Sequence, residues 1–233
     1  MRKHLDLILG ILSLILALPG FFGLFFTPYT TSAILVVTLA AALAIAALTA
    51  RWFLNLPPYT VTSVICGLTF QNQDHATFSK RFVIRPNFPH LQEITFGGIS
   101  QDGTVQNLSW NSHPISSMEK PKGTIIATVH FNPPLPWWKE HTGTLSYDTL
   151  HSYPANNEYQ GFRVEHPTRR MEINIEFPAG RPCKPQTVYA TLEMGAQPIA
   201  LDPPPTVSPD GRTAHILVEH PQLAGQYWVY WEW

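Results

Sequence analysis

Cysteine is scarce in this chain: Cys66 and Cys183 are the only two. One disulfide is the most they could form, which excludes a small scaffold held together by a disulfide framework. Charge is sparse as well, with Asp, Glu, Lys and Arg making up 13% of the 233 residues. From Trp52 onward 12 Lys/Arg face 15 Asp/Glu with no dense basic run. Binding of bulk nucleic acid through phosphate neutralisation is therefore disfavoured. The common chemical signatures are missing too. No nucleotide-binding glycine motif follows a strand pattern, and there is no G-x-S-x-G, H-x-H, H-E-x-x-H or C-x-x-C. Nothing orders a Ser, His and Asp into a triad. The expectation is a chain with no catalytic residues, no metal and no cofactor.

What the sequence does contain is divided unevenly. The first 54 residues hold only Arg2, Lys3, Asp6 and Arg51 as charges, and every proline except Pro19 and Pro28 lies beyond them. Two apolar runs, LDLILGILSLILALPGFFGLFF (5–26) and SAILVVTLAAALAIAALTARWFL (32–54), each reach the ~20 residues that a helix needs to cross a hydrocarbon core. A short uncharged link joins them, so the pattern predicts a two-helix transmembrane hairpin over residues 1–54. Arg2, Lys3 and Arg51 flank it on one side. The positive-inside rule then places both termini of a multi-pass membrane protein in the cytoplasm. Along the first run Gly10, Ser13, Ala17 and Gly20 form a stripe of small residues. Such a stripe suits close helix approach, within the hairpin or between subunits.

Beyond Pro57 and Pro58 the period changes from helical to alternating. MEINIEF (171–177) is the cleanest case, with Met171, Ile173, Ile175 and Phe177 on one face and Glu172, Asn174 and Glu176 on the other. It predicts a strand buried on one side. Similar patterns mark 124–131, 143–148, 187–193, 213–219 and 226–233, and more weakly 59–70, 79–85, 91–96 and 104–110. Asp102-Gly103 and Asp210-Gly211 lie between such runs, where tight turns need positive φ. About ten short strands define an all-β antiparallel domain over 57–233, with a sandwich favoured over a barrel. Pattern alone leaves open whether 57–119 completes the sheets of 120–233 or is a separate small sheet, divided near 120.

The tetrapeptide Val-Glu-His-Pro occurs twice, at 164–167 and 218–221. Chance alone predicts about 0.3 repeats of this length in such a chain, so the identity means little. The context recurs more tellingly, since each copy ends one alternating run and precedes another. Proline cannot donate to a ladder and holds its predecessor extended, so both copies read as one strand-turn-strand device. A metal site built from Glu165, His166, Glu219 and His220 is disfavoured, because adjacent strand residues face opposite ways. A His before Pro reads as a solvated turn residue.

Aromatic density marks the candidate binding residues. GQYWVYWEW puts Tyr227, Val229, Trp231 and Trp233 on one face and Trp228 and Tyr230 on the other. One reading is a central strand packed on each side by the fold itself. The other assigns Trp228 and Tyr230 to a ligand groove or partner contact. Trp137 and Trp138, in a proline-rich loop, read the same way or as a membrane-interface anchor.

Two membrane spans followed by a β-rich region without a catalytic motif resemble the two-transmembrane, β-strand-rich effectors of bacterial antiphage systems. These respond to cyclic oligonucleotides. The resemblance implies a membrane-anchored, non-enzymatic sensor or effector whose cytoplasmic β domain binds a cyclic nucleotide signal or a protein partner. It also implies a bacterial inner membrane as the location, homo-oligomerisation and membrane disruption. The alternative on the same layout is a passive anchor or scaffold that recruits another protein.

Overall fold

A computed structural model describes residues 38–39, 41–49, 56–99, 103–120, 124–137, 139–195 and 197–233. The chain divides into two units, Met1–Leu56 and Pro57–Trp233.

The transmembrane hairpin is corrected here. Among the described residues no helix is long and apolar enough to cross a membrane. Among the described residues of the first unit, 38–39 and 41–49 are helical. The expected span 5–26, with Gly10, Ser13, Ala17 and Gly20, lies outside the described residues, as do both ends of 32–54. The multi-pass inner-membrane location and the cytoplasmic termini rested on that hairpin and fall with it.

The second unit is built from strands. Its largest sheet has eight, in the order β13-β14-β10-β1-β2-β8-β4-β5. These are β1 (Tyr59–Asn72), β2 (His75–Pro86), β4 (Thr104–Trp110), β5 (His113–Pro114), β8 (His141–Leu150), β10 (Arg170–Glu176), β13 (Thr206–Val207) and β14 (Thr213–Glu219). A three-stranded sheet joins β3 (Leu91–Ile99), β7 (Thr124–Leu135) and β6 (Ser116–Lys120) in that order. A four-stranded sheet runs β12 (Pro198–Ala200), β11 (Tyr189–Glu193), β15 (Gln226–Glu232), β9 (Asn157–Arg163). Neighbours pair antiparallel with one exception, β1 beside β10, where Ile65 faces Glu172 in parallel register. Because β1 pairs with β10, and β4 with β8, segments from both sides of residue 120 share one sheet.

Both smaller sheets lie over the same face of the large one. Phe78 of β2 packs on Phe162 of β9 with ring centroids 5.8 Å apart, and Phe82 of β2 packs on Phe96 of β3 at 4.9 Å. The reason is alternation: β10 buries Met171, Ile173 and Ile175, and β15 buries Tyr227, Val229 and Trp231, each at 1% exposure or less. Phe70 is a crossing point between layers. Its ring meets Tyr153 at 4.8 Å, Trp233 at 5.2 Å, Trp231 at 5.9 Å and Phe177 at 6.0 Å.

The repeated Val-Glu-His-Pro marks two of the places where the chain passes from one sheet to another. The first copy carries it from β9 in the four-stranded sheet to β10 in the large one, and the second carries it back from β14 to β15. The crossings lie side by side. Val164 donates its amide to the Gly225 carbonyl and accepts from the Ala224 amide, while the His220 amide donates to the Arg169 carbonyl. The turn at Asp210-Gly211 links β13 to β14, with Gly211 at φ 68°.

Phe70→Ala should lower unfolding stability by about 3–5 kcal/mol, because it empties a site shared by four rings. Urea denaturation of the full chain measures this, and a loss below about 1 kcal/mol would show that the layers are not held there.

Candidate functional site

β15 runs between β11 and β9, and the pleat turns its alternate residues to opposite sides. With Tyr227, Val229 and Trp231 in the core, Gln226, Trp228, Tyr230 and Glu232 face outward and are part-exposed. Register then lines up neighbours across the outer face. One row is Tyr189, Tyr230, Tyr159; the next is Thr191, Trp228, Gly161; a third is Glu193, Gln226, Arg163.

The rings of this face touch one another. Tyr189 and Tyr230 stack at 4.6 Å with planes 10° apart, and Tyr159 meets Trp228 edge-on at 5.4 Å and Tyr230 at 6.0 Å. Tyr159 is 49% exposed and Tyr189 53%. Trp228 is held by its polar edge, since Nε1 donates to Glu193 Oε2 at 2.6 Å. Its six-membered ring lies over Gly161: a Cβ there would come 2.7 Å from Cζ3 and 3.1 Å from Cε3. Glycine is thus required by the space the indole occupies.

The structure therefore brings Trp228 and Tyr230 together, and adds Tyr159, Tyr189 and Glu193. Tyr189 and Glu193 could have been found, because alternation within 187–193 puts both on one face. Tyr159 could not, because β9 does not read as a half-buried strand. Its inward residues include Glu158 and Gln160, whose polar groups are satisfied by the Ala155 amide and the Tyr153 hydroxyl, each at 2.5 Å. Trp137 lies apart, just beyond β7 and 50% exposed. Trp138 lies outside the described residues.

A second cluster sits inside the sandwich. Lys80 occupies a position on β2 between Phe78, which packs on the four-stranded sheet, and Phe82, which packs on the three-stranded one. It donates to the Arg163 carbonyl at 3.1 Å. With Gly97 and Glu165 it lines a narrow cleft of about 60 Å³. Burial raises the pKa of the Glu165 carboxyl, while Lys80, Arg163 and the Gly97 amide oppose that shift. The Tyr59 hydroxyl lies 2.7 Å from His166 Nε2. Burial pushes the Tyr59 phenol upward and brings His166 down to about 4, with Lys80 adding to the latter. The expectation of a solvated His166 is corrected: the layer crossing turns it inward onto Tyr59, whereas His220, in the second crossing, is exposed at φ 52°. The two Glu-His pairs do not converge, and among the described residues no group of three or more His, Cys, Asp or Glu could hold a metal ion.

No protein-family model matches the sequence, and no curated protein does either. Solved structures do resemble the chain in fold. One is the M1 zinc metallopeptidase from Deinococcus radiodurans, with TM-score 0.41 and 12% identity over 74% of this chain and 42% of that one. Another is the native leukotriene A4 hydrolase from Saccharomyces cerevisiae, with TM-score 0.42 and 10% identity over 74% and 29%. The chain thus spans less than half the length of either. The expectation of a non-enzymatic chain meets neighbours whose names are those of enzymes. Likeness at this level carries no activity across to this chain. The membrane-anchored sensor, together with its passive-anchor alternative, is overturned by the lack of a span-length helix among the described residues.

His166 generates a pH test. Its pKa in the folded protein lies below the ordinary 6.5. Between pH 6.5 and about 4 the unfolded chain takes up a proton that the folded one refuses, so the His166 contribution to stability falls as pH falls through that window. Glu165, shifted upward, acts in the opposite sense, so the His166 part is read from the difference between variants. His166→Gln should flatten the pH dependence of the unfolding midpoint over this range. An NMR titration placing the His166 imidazole near 6.5 would refute the assignment.

Proposed function

We propose that this chain is a binding module, with the outer face of its four-stranded sheet as the binding surface. One observation carries the reading: Tyr189, Tyr230, Tyr159 and Trp228 form a contiguous aromatic group on the solvent side of a sheet whose other side is the core. Isolated exposed rings are ordinary on a protein surface, but a connected patch of them is the mark of a binding site. Tyrosine and tryptophan concentrate at the centres of binding surfaces because they combine large apolar area, few rotatable bonds and a polar tip. Here the rings are already held, by mutual stacking and by the Trp228–Glu193 hydrogen bond. Little conformational entropy is left to lose on binding, which favours affinity.

The test uses the full-length chain, immobilised and exposed to an extract of the cells that express it. Tyr159→Ala combined with Tyr230→Ala should lower retention of the bound component at least about tenfold. Arg81→Ala, exposed on the far side of the large sheet, should leave it unchanged. Retention that is equal in wild type and the double variant, with the fold intact by thermal unfolding, would refute the proposal.

A further inference from the structure

We infer that the ligand of this face is a neutral sugar, a hexopyranose of glucose or N-acetylglucosamine type stacked on Trp228; this rests on the binding-module reading above. The indole is presented as a floor. It lies over Gly161, with Cζ3 and Cε3 both where a side chain at that position would begin, and its Nε1 reaches Glu193 on β11, so the ring system spans the outer side of the sheet from β9 to β11. The face of an aromatic ring carries negative quadrupolar charge. A pyranose whose hydroxyls are all equatorial turns its axial C–H groups to its own flat faces, and these carry the complementary partial positive charge. The areas match, one hexose ring against one indole.

The polar edge of Trp228 discriminates among occupants. Nε1 is committed to Glu193 at 2.6 Å. Proline-rich peptides are the other frequent occupants of aromatic grooves. Such a peptide would find the ring face here but no indole donor for its carbonyls. A sugar has no need of that donor. Its hydroxyls pair with planar groups that can accept or donate twice, and the row beside Trp228 carries the Glu193 carboxylate and the Gln226 amide, the latter also closing over Gly161. Charge complementarity favours a neutral ligand, because Glu193 and Arg163 stand at opposite ends of that row and cancel. The tyrosine row follows one pleat repeat away, about 7 Å, within reach of a second sugar ring.

Cellohexaose and chitohexaose, titrated into the full-length chain by calorimetry and by NMR of indole-labelled protein, test this. At least one should bind with a dissociation constant of millimolar or below and shift the Trp228 indole resonance. Trp228→Ala should weaken that binding at least tenfold. Glu193→Gln, which keeps an acceptor for Nε1 but removes the charge, should weaken it less. The unperturbed wild-type indole resonance in the presence of both hexaoses would overturn the inference without relying on any variant. So would binding confined to anionic heparin, or binding indifferent to Trp228→Ala. A polyproline peptide that binds through Trp228 where the sugars fail would overturn the sugar and leave the binding-module reading standing. Sugar failure together with extract retention untouched by the Tyr159 and Tyr230 changes would remove both.

Discussion

The pleat of a single seven-residue strand, β15, ties this structure together. Successive side chains along a strand point to opposite faces. Because Tyr227, Val229 and Trp231 are drawn into the sandwich, Trp228 and Tyr230 have only the outer face to occupy. Core and candidate site are thus two sides of one constraint. A slip of one residue in the pairing of β15 with β9 or β11 would exchange them, exposing Trp231 and burying Gln226 and Glu232.

The neighbouring strands complete the arrangement by register. β11 brings Tyr189, Thr191 and Glu193 to the same face, and β9 brings Tyr159 and Gly161. Gly161 has to be small because the indole of Trp228 fills the space above it. On the inner side, β9 places Phe162 against Phe78 of the large sheet. The same strand therefore anchors the four-stranded sheet to the core and leaves room for the indole on the outside.

The layer crossings explain why the two Val-Glu-His-Pro segments differ in fate despite their identity. Both carry the chain between the four-stranded and eight-stranded sheets, and their backbones are hydrogen-bonded side by side. The first runs beneath the three-stranded sheet, where Gly97 and Lys80 flank Glu165, and its histidine turns onto Tyr59. The second lies at the surface, and Glu219 pairs with Arg170 at 3.8 Å on the exposed side. Burial, and not sequence, sets the chemistry of these two histidines: His166 is pushed toward its neutral form by the loss of water around it.

Alternation in the sequence was enough to determine that 57–233 is built of strands. It placed β4 and β14 at their observed limits and β10 and β15 within one residue, because a one-sided strand must repeat every two residues whatever it pairs with. It also put Trp228 and Tyr230 on a face of their own. Apolar length in 5–26 and 32–54 was read as a membrane hairpin, but composition alone does not decide what an apolar run packs against. Only the tertiary structure decided that β1 and β10 run parallel, that β9 is a strand at all, and that Tyr159 and Tyr189 flank the central pair. Parallel partners more than a hundred residues apart leave no local mark. The inward Glu158 and Gln160 of β9 break the apolar alternation and are accommodated by hydrogen bonds formed on folding, among them those that Ala155 and Tyr153 donate. Which residues share a face across strands is a matter of register, and register is set by the packing of all the strands together.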